Sequence, residues 1–168
     1  FTANDEQLRD IAFWSLGSLG GAVWTSVLLV APFILLAILL LPRLSKGLNA
    51  MLLGEDEATH LGVNTEKIKR QIIILVALAV GTSVSVAGII GFVGLVVPHL
   101  LRLMIGPDHR MLLPGSAVLG ACLLLASDLV ARTVVSPAEL PIGIITATIG
   151  APFFLWLLVK NRKLSHYL

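Results

Sequence analysis

The groups in this chain that could do chemistry are few, and their spacing decides what they can do. His60, His99, His109 and His166 are scattered, with no metal-ligand spacing among themselves or to the lone Cys122. There is no G-x-x-x-x-G-K-S/T phosphate loop and no G-x-S-x-G nucleophile elbow. Catalysis, a bound cofactor and a resident metal are therefore not expected in this chain. Asp128 is the acid deepest in an apolar stretch. It stands four residues before Arg132, the favourable order for a helical ion pair. A local salt bridge at a helix end and a functional charge both fit that spacing. Carriers driven by ions or protons keep carboxylates or histidines inside their spans, because an intramembrane charge is costly. The apolar stretches here are nearly bare, which argues against an ion-coupled secondary transporter. If the chain transports, the energy must come from elsewhere.

Composition explains why reactive groups are so sparse. Of the 168 residues, 57% are hydrophobic and 13% charged, and the mean hydropathy is +0.95. A soluble domain carries roughly 25% charged residues. A globule this small has too little interior to hide such an apolar excess, so a lipid-facing surface is the economical reading. Soluble enzyme, disordered tail and disulfide scaffold are excluded as the main description. A net charge of +2 gives no reason to invoke nucleic acid. The chain opens at Phe1 with no signal peptide visible, and it is expected to be part of a longer polypeptide with an upstream half.

A crossing helix needs about 20 apolar residues. The expected fold is all-α, a polytopic transmembrane bundle of about five crossings. Residues 1–22 read as an external helix and loop, 23–45 as a span, 49–65 as cytoplasmic, and 66–88 as the next span. The charge-free run from Gln71 to Leu101 would reach about 46 Å as one helix, against a core of about 30 Å. It must turn at Gly88, Gly91 and Gly94, giving a re-entrant or external segment at 89–96 and a short span at 97–106. Further spans are expected at 108–133 and 142–161, the last preceded by Pro141, which suits a first helical turn. With crossings alternating, every Lys and Arg except Arg9 and Arg132 falls on one side, which should be cytoplasmic.

Within 49–65 the sequence suggests two short surface helices. Glu55, Asp56 and Glu57 suit a helix N-terminus, Gly62 a C-terminal stop, and Asn64 or Thr65 a cap for the following helix. Met51, Leu52, Ala58 and Leu61 would then be exposed, which tilts the reading from a solvated connector towards a contact surface for a partner.

The stretch from Gly88 through Gly91-Phe92-Val93-Gly94 to Pro98-His99-Leu100-Leu101-Arg102 resembles the FecCD/BtuC-type permeases of ATP-binding-cassette importers for iron chelates, haem or cobalamin. So do Gly106-Pro107-Asp108-His109-Arg110 with Leu113-Pro114, Asp128 to Arg132, and Glu139 to Gly143 through Gly150-Ala151-Pro152. The resemblance covers essentially the whole chain and implies the C-terminal half of a ten-helix permease of the bacterial inner membrane. It implies that Leu53, Gly54, Glu55, Glu57, Ala58, Leu61, Gly62 and Val63 couple to an ATPase subunit, which would bind ATP and Mg in place of this chain. It implies that Arg132 receives an acid from a periplasmic substrate-binding protein. Leu16, Gly17, Gly91, Phe92 and Gly94 would lie along the translocation path. The implied assembly is a permease homodimer in membrane lipid above two cytoplasmic ATPases. Phe13-Trp14-Ser15-Leu16-Gly17-Ser18-Leu19-Gly20-Gly21 is more similar to haem-importer permeases than to the cobalamin branch. Haem is therefore the first expected cargo, ferric siderophore the second and cobalamin the third.

Overall fold

The computed structural model describes residues 11, 14–134 and 140–164 of the protein. Phe13, most of the expected external helix in 1–22 and the loop residues 135–139 lie outside the described residues. Among the described residues these α-helices are placed in full: α1 Trp24–Leu40, α2 Ser45–Met51, α3 Glu55–His60, α4 Thr65–Ala87, α5 Val93–Ile105, α6 His109–Val134 and α7 Ile142–Leu164. No strand occurs among the described residues. Trp24–Met51 (which includes a 3-10 turn at Leu41–Leu44), α4 and α6 are each long and apolar enough to cross a membrane, whereas Val93–Ile105 and Ile142–Leu157 are shorter apolar helices. The 13 residues of α5 reach about 20 Å, two thirds of the hydrocarbon thickness.

Most large apolar side chains face outward: Leu28, Leu29, Ile73 and Leu125 are 67–70% exposed. Apolar area on this scale must be covered by lipid or by more protein.

The chain forms two compact units. One holds Ala22–Val86 with Pro98–Leu119. Its first long helix does not stop where the expected span at 23–45 ends. It passes through the tight turn at Leu41–Leu44 and resumes as α2 at Ser45. Pro42 explains the turn, since it offers no N–H to the α-helical ladder and sits where a 3-10 helix tolerates it. Helix α2 therefore starts four residues before the expected connector at 49–65. The acids Glu55, Asp56 and Glu57 occupy the first turn of α3, where the positive end of the helix dipole favours them. The helix ends at Gly62, whose φ of +82° lets its N–H reach Thr59 O at 2.9 Å while Val63 N–H reaches Ala58 O at 3.0 Å. Of the two possible caps for α4, Asn64 is the one used: its Oδ1 accepts the Lys67 N–H at 2.9 Å.

The other unit holds the described residues up to Gly21, Ala87–Val97 and those from Gly120 onward. The non-helical stretch expected at 89–96 is shorter than its glycines suggested, because α5 begins at Val93. Phe92 causes this. It adopts a left-handed φ of +66° and its carbonyl accepts the N–H groups of Leu95 at 3.0 Å and Val96 at 2.9 Å, starting the helix immediately. Gly88, at φ +70°, marks the other end of the break, and any Cβ there would meet Trp14 O. Pro141 is buried, and its carbonyl accepts the Ile144 N–H at 3.1 Å, so it stands at the entrance of α7.

Candidate coupling surface and path elements

The α2–α3 element is built from a seven-residue and a six-residue helix joined by Leu52-Leu53-Gly54. Leu53 and Leu61 are 69% and 65% exposed and flank α3; Gly54, Glu55, Glu57 and Gly62 are also exposed, and Val63 is half-buried. Ala58 departs from expectation. It is fully buried, at 0% exposure, and cannot present a surface to another protein. Its carbonyl receives the Val63 N–H at the turn that ends α3. Glu55 makes an ion pair with Lys69 of α4. Both ends are exposed, so the pair orients more than it stabilises. Asn64, Glu66, Lys67 and Arg70 line an open groove beside it.

One arrangement here has no counterpart in the sequence reading. Asn49 of α2 reaches the start of α6, where its Nδ2 donates to Asp108 Oδ1 at 2.6 Å and its Oδ1 accepts the His109 backbone N–H at 2.9 Å. Asn49 Oδ1 also lies 2.9 Å from His109 Nδ1. Asp108 is the N-cap of α6, its Oδ1 accepting the Arg110 N–H at 2.9 Å. That backbone bond and the Asn49 amide hold the Asp108 carboxyl below its usual range. The cap itself is legible as an Asp ahead of a long apolar run. Its partner, 59 residues earlier, is not.

In the other unit, Arg132 in the last turn of α6 donates from Nε to Asp128 Oδ2 at 2.9 Å. The Arg132 side chain is half exposed. The salt bridge and a role at the surface are thus compatible, with Asp128 holding the guanidinium in place while the rest of it faces outward.

The path residues divide. Gly17 is buried, and a Cβ on it would come within 2.6 Å of Ile89 O, so its small size serves a close backbone approach. Leu16 is exposed and its carbonyl lies over Gly143, which likewise leaves no room for a Cβ. Ser18 N–H donates to Ala87 O at 2.9 Å and completes this junction. Phe92 packs on Gly150. Gly91 and Gly94 have open space at their Cα atoms. Phe92, Val96, Ser127, Thr146 and Gly150 border a cavity of about 10 Å³, room for about one water. The packing of Gly143 against Leu16 and of Gly150 against Phe92 has no local signal, because neither partner is near them in the chain.

A polytopic α-helical membrane protein with a small, exposed helical element between its first two long helices is the class these features define. Comparison with known proteins gives the family. The model of the FecCD transport family matches residues 1–160, and the chain belongs to that family. It is 48% identical over 163 residues to the hemin transport system permease protein HmuU of Yersinia pestis, covering 97% of this chain and 49% of that protein. It is 44% identical to the vitamin B12 import system permease protein BtuC of Vibrio cholerae, covering 96% and 49%. A solved structure described as an inward-facing conformation of a metal-chelate type ABC transporter superposes with a TM-score of 0.87 at 40% identity, covering 95% of this chain and 52% of that one. The chain thus spans about half the length of the curated relatives it matches.

Proposed function

We propose that this chain is the C-terminal half of a permease subunit of an ATP-driven importer in the bacterial inner membrane. In this reading it moves haem or another iron chelate delivered by a periplasmic binding protein. Membership of the FecCD transport family over residues 1–160 is the observation that carries the reading. The sparse charge of the long helices supports it, since among the described residues their acids are Glu66, in the first turn of α4, and the Arg132-paired Asp128.

Two permease copies would form the conduit, with two ATPases gripping Leu53, Glu55, Glu57 and Leu61 and closing on ATP and Mg that they themselves bind. Arg132 would take an acidic side chain from the binding protein. The permease would hold its cargo weakly, because tight binding impedes release. Haem is placed first because the chain is 48% identical to a hemin permease; the 44% identity to a vitamin B12 permease keeps cobalamin as the second cargo, beside ferric siderophore.

The test is uptake into proteoliposomes holding the whole transporter. Uptake of haem that requires the ATPase, ATP and the binding protein together is the expected result. Uptake driven by a proton gradient with no ATPase present would refute the reading. Haem, a ferric siderophore and cobalamin, offered in parallel to the cognate binding protein, identify the cargo by which one it retains.

A further inference from the structure

We propose that Asn49 is a positioning residue that fastens the α2–α3 element to the start of α6, so that a displacement of the α2–α3 surface is delivered to α6 instead of being absorbed in the loop before it. This rests on the reading of the chain as a permease worked by a separate ATPase.

Asn49 grips the helix at its cap and not at a passing side chain. Its amide donates to the carboxylate that caps α6, at 2.6 Å, and its carbonyl oxygen takes the first backbone N–H of that helix at 2.9 Å. The Asp108 carboxylate is in turn fixed by the Arg110 N–H. A hydrogen bond to an ionised acceptor is stronger than a neutral one, and the companion bond from the His109 N–H comes from backbone that cannot move without α6 moving. The adjacent His109 is buried, at 8% exposure.

Two further features make the fastening matter. The segment between α5 and α6 is only Gly106-Pro107-Asp108, and Gly106 has φ +86° with open space where a Cβ would stand. Such a glycine can absorb a rotation easily. On the other side, α2 is seated closely on α4 through Gly47, where a Cβ would strike Ile68 and come within 3.7 Å of Val63. Asn49 is two residues from that contact. The last turn of the helix it grips carries Arg132. One helix therefore links the cap held by Asn49 to the arginine expected to meet the binding protein.

The experiment measures substrate moved per ATP hydrolysed by the whole reconstituted transporter, together with ATPase turnover and recovery of the ATPase on the purified permease. Asn49→Asp sets a second carboxylate against Asp108. Substrate per ATP should fall about fivefold or more while turnover is retained, the size expected for loss of one coupling contact. Asn49→Asp with Asp108→Asn exchanges amide and carboxylate. One donor still lies between them, and acceptors remain for the His109 and Arg110 N–H groups, so the ratio should return to within about twofold of wild type. Asn49→Ala removes the contact without adding charge and should lower the ratio as well, which decides the matter if Asn49→Asp does not assemble. A wild-type ratio in Asn49→Ala would overturn the proposal, as would an exchanged pair that works no better than Asn49→Asp. Transport by the wild type with no ATPase present would instead overturn the permease reading itself.

Discussion

Phe92 lies directly over Gly150: an added Cβ at residue 150 would collide with Phe92 Cβ and Cγ and come within 2.9 Å of Cδ1. Phe92 also holds a φ of +66°, a conformation that costs a bulky residue of order 1–3 kcal/mol. The packing against α7 and the start of α5 therefore depend on the same residue. A ring that bends the chain into a helix is pinned by a glycine on another helix.

Gly150→Ala should destabilise the detergent-solubilised protein by about 1–3 kcal/mol, the range for overpacking a close contact. Phe92→Gly removes both the ring and the backbone strain, so it should suppress much of that loss. A double-mutant cycle by thermal unfolding should give a coupling of at least about 0.5 kcal/mol. Additive effects would mean that the two residues do not meet.

Arg132→Glu should weaken association with the binding protein about tenfold or more, because it reverses a charge at a steered contact. The Arg132 side chain is half exposed but that of Asp128 only 20%, and the substitution sets two carboxylates one turn apart, so a loss of stability of up to about 1 kcal/mol is expected beside the docking defect. Asp128→Asn leaves the guanidinium charge but loosens its placement, and should weaken association less. An acid-to-base change on the binding protein should restore the Arg132→Glu complex. Unchanged association of Arg132→Glu in a surface-binding measurement would remove Arg132 from the contact.

Asp108 makes a pH prediction with a definite sign. Its carboxyl is held below the ordinary value of 3.8 by the Arg110 N–H and then by the Asn49 amide. A group depressed on folding contributes stability that is fully present above its unfolded pKa and is lost as the pH falls through its folded pKa. Wild type and Asp108→Asn should therefore differ by a constant amount at neutral and mildly acidic pH. That difference should shrink only below 3.8. A parallel series of melting curves checks it; a difference that vanishes already near neutral pH would contradict the assignment.

The sequence reached the helices and their caps because those signals are local. Glu55, Asp56 and Glu57 announce a helix start, Gly62 announces a stop, and the long apolar runs announce spans, each through chemistry confined to one or two turns. It misjudged α5 because glycine spacing says where a chain can break and not how soon the helix resumes; the left-handed Phe92 decided that. Ala58 was expected to be exposed on a short surface helix, but it is fully buried. The Asn49–Asp108 bond and the Phe92–Gly150 contact each join residues 58 or more apart in the chain, and nothing near either member signals the other.

The burial of Ala58 separates docking from folding on one short helix. Leu53 and Leu61 are mostly exposed, so Leu53→Ser and Leu61→Ser should leave thermal stability within about 0.5 kcal/mol, as surface substitutions do. If they form the ATPase contact, co-purification of the ATPase with the permease should fall in both variants, and further in the double one. Ala58→Leu has the opposite signature. It forces volume into a fully enclosed position and should cost about 1–3 kcal/mol, with the ATPase lost only as far as the fold is lost. Measuring melting temperature and bound ATPase on the same samples distinguishes the two. Full ATPase recovery with Leu53→Ser and Leu61→Ser combined would move the contact away from α3.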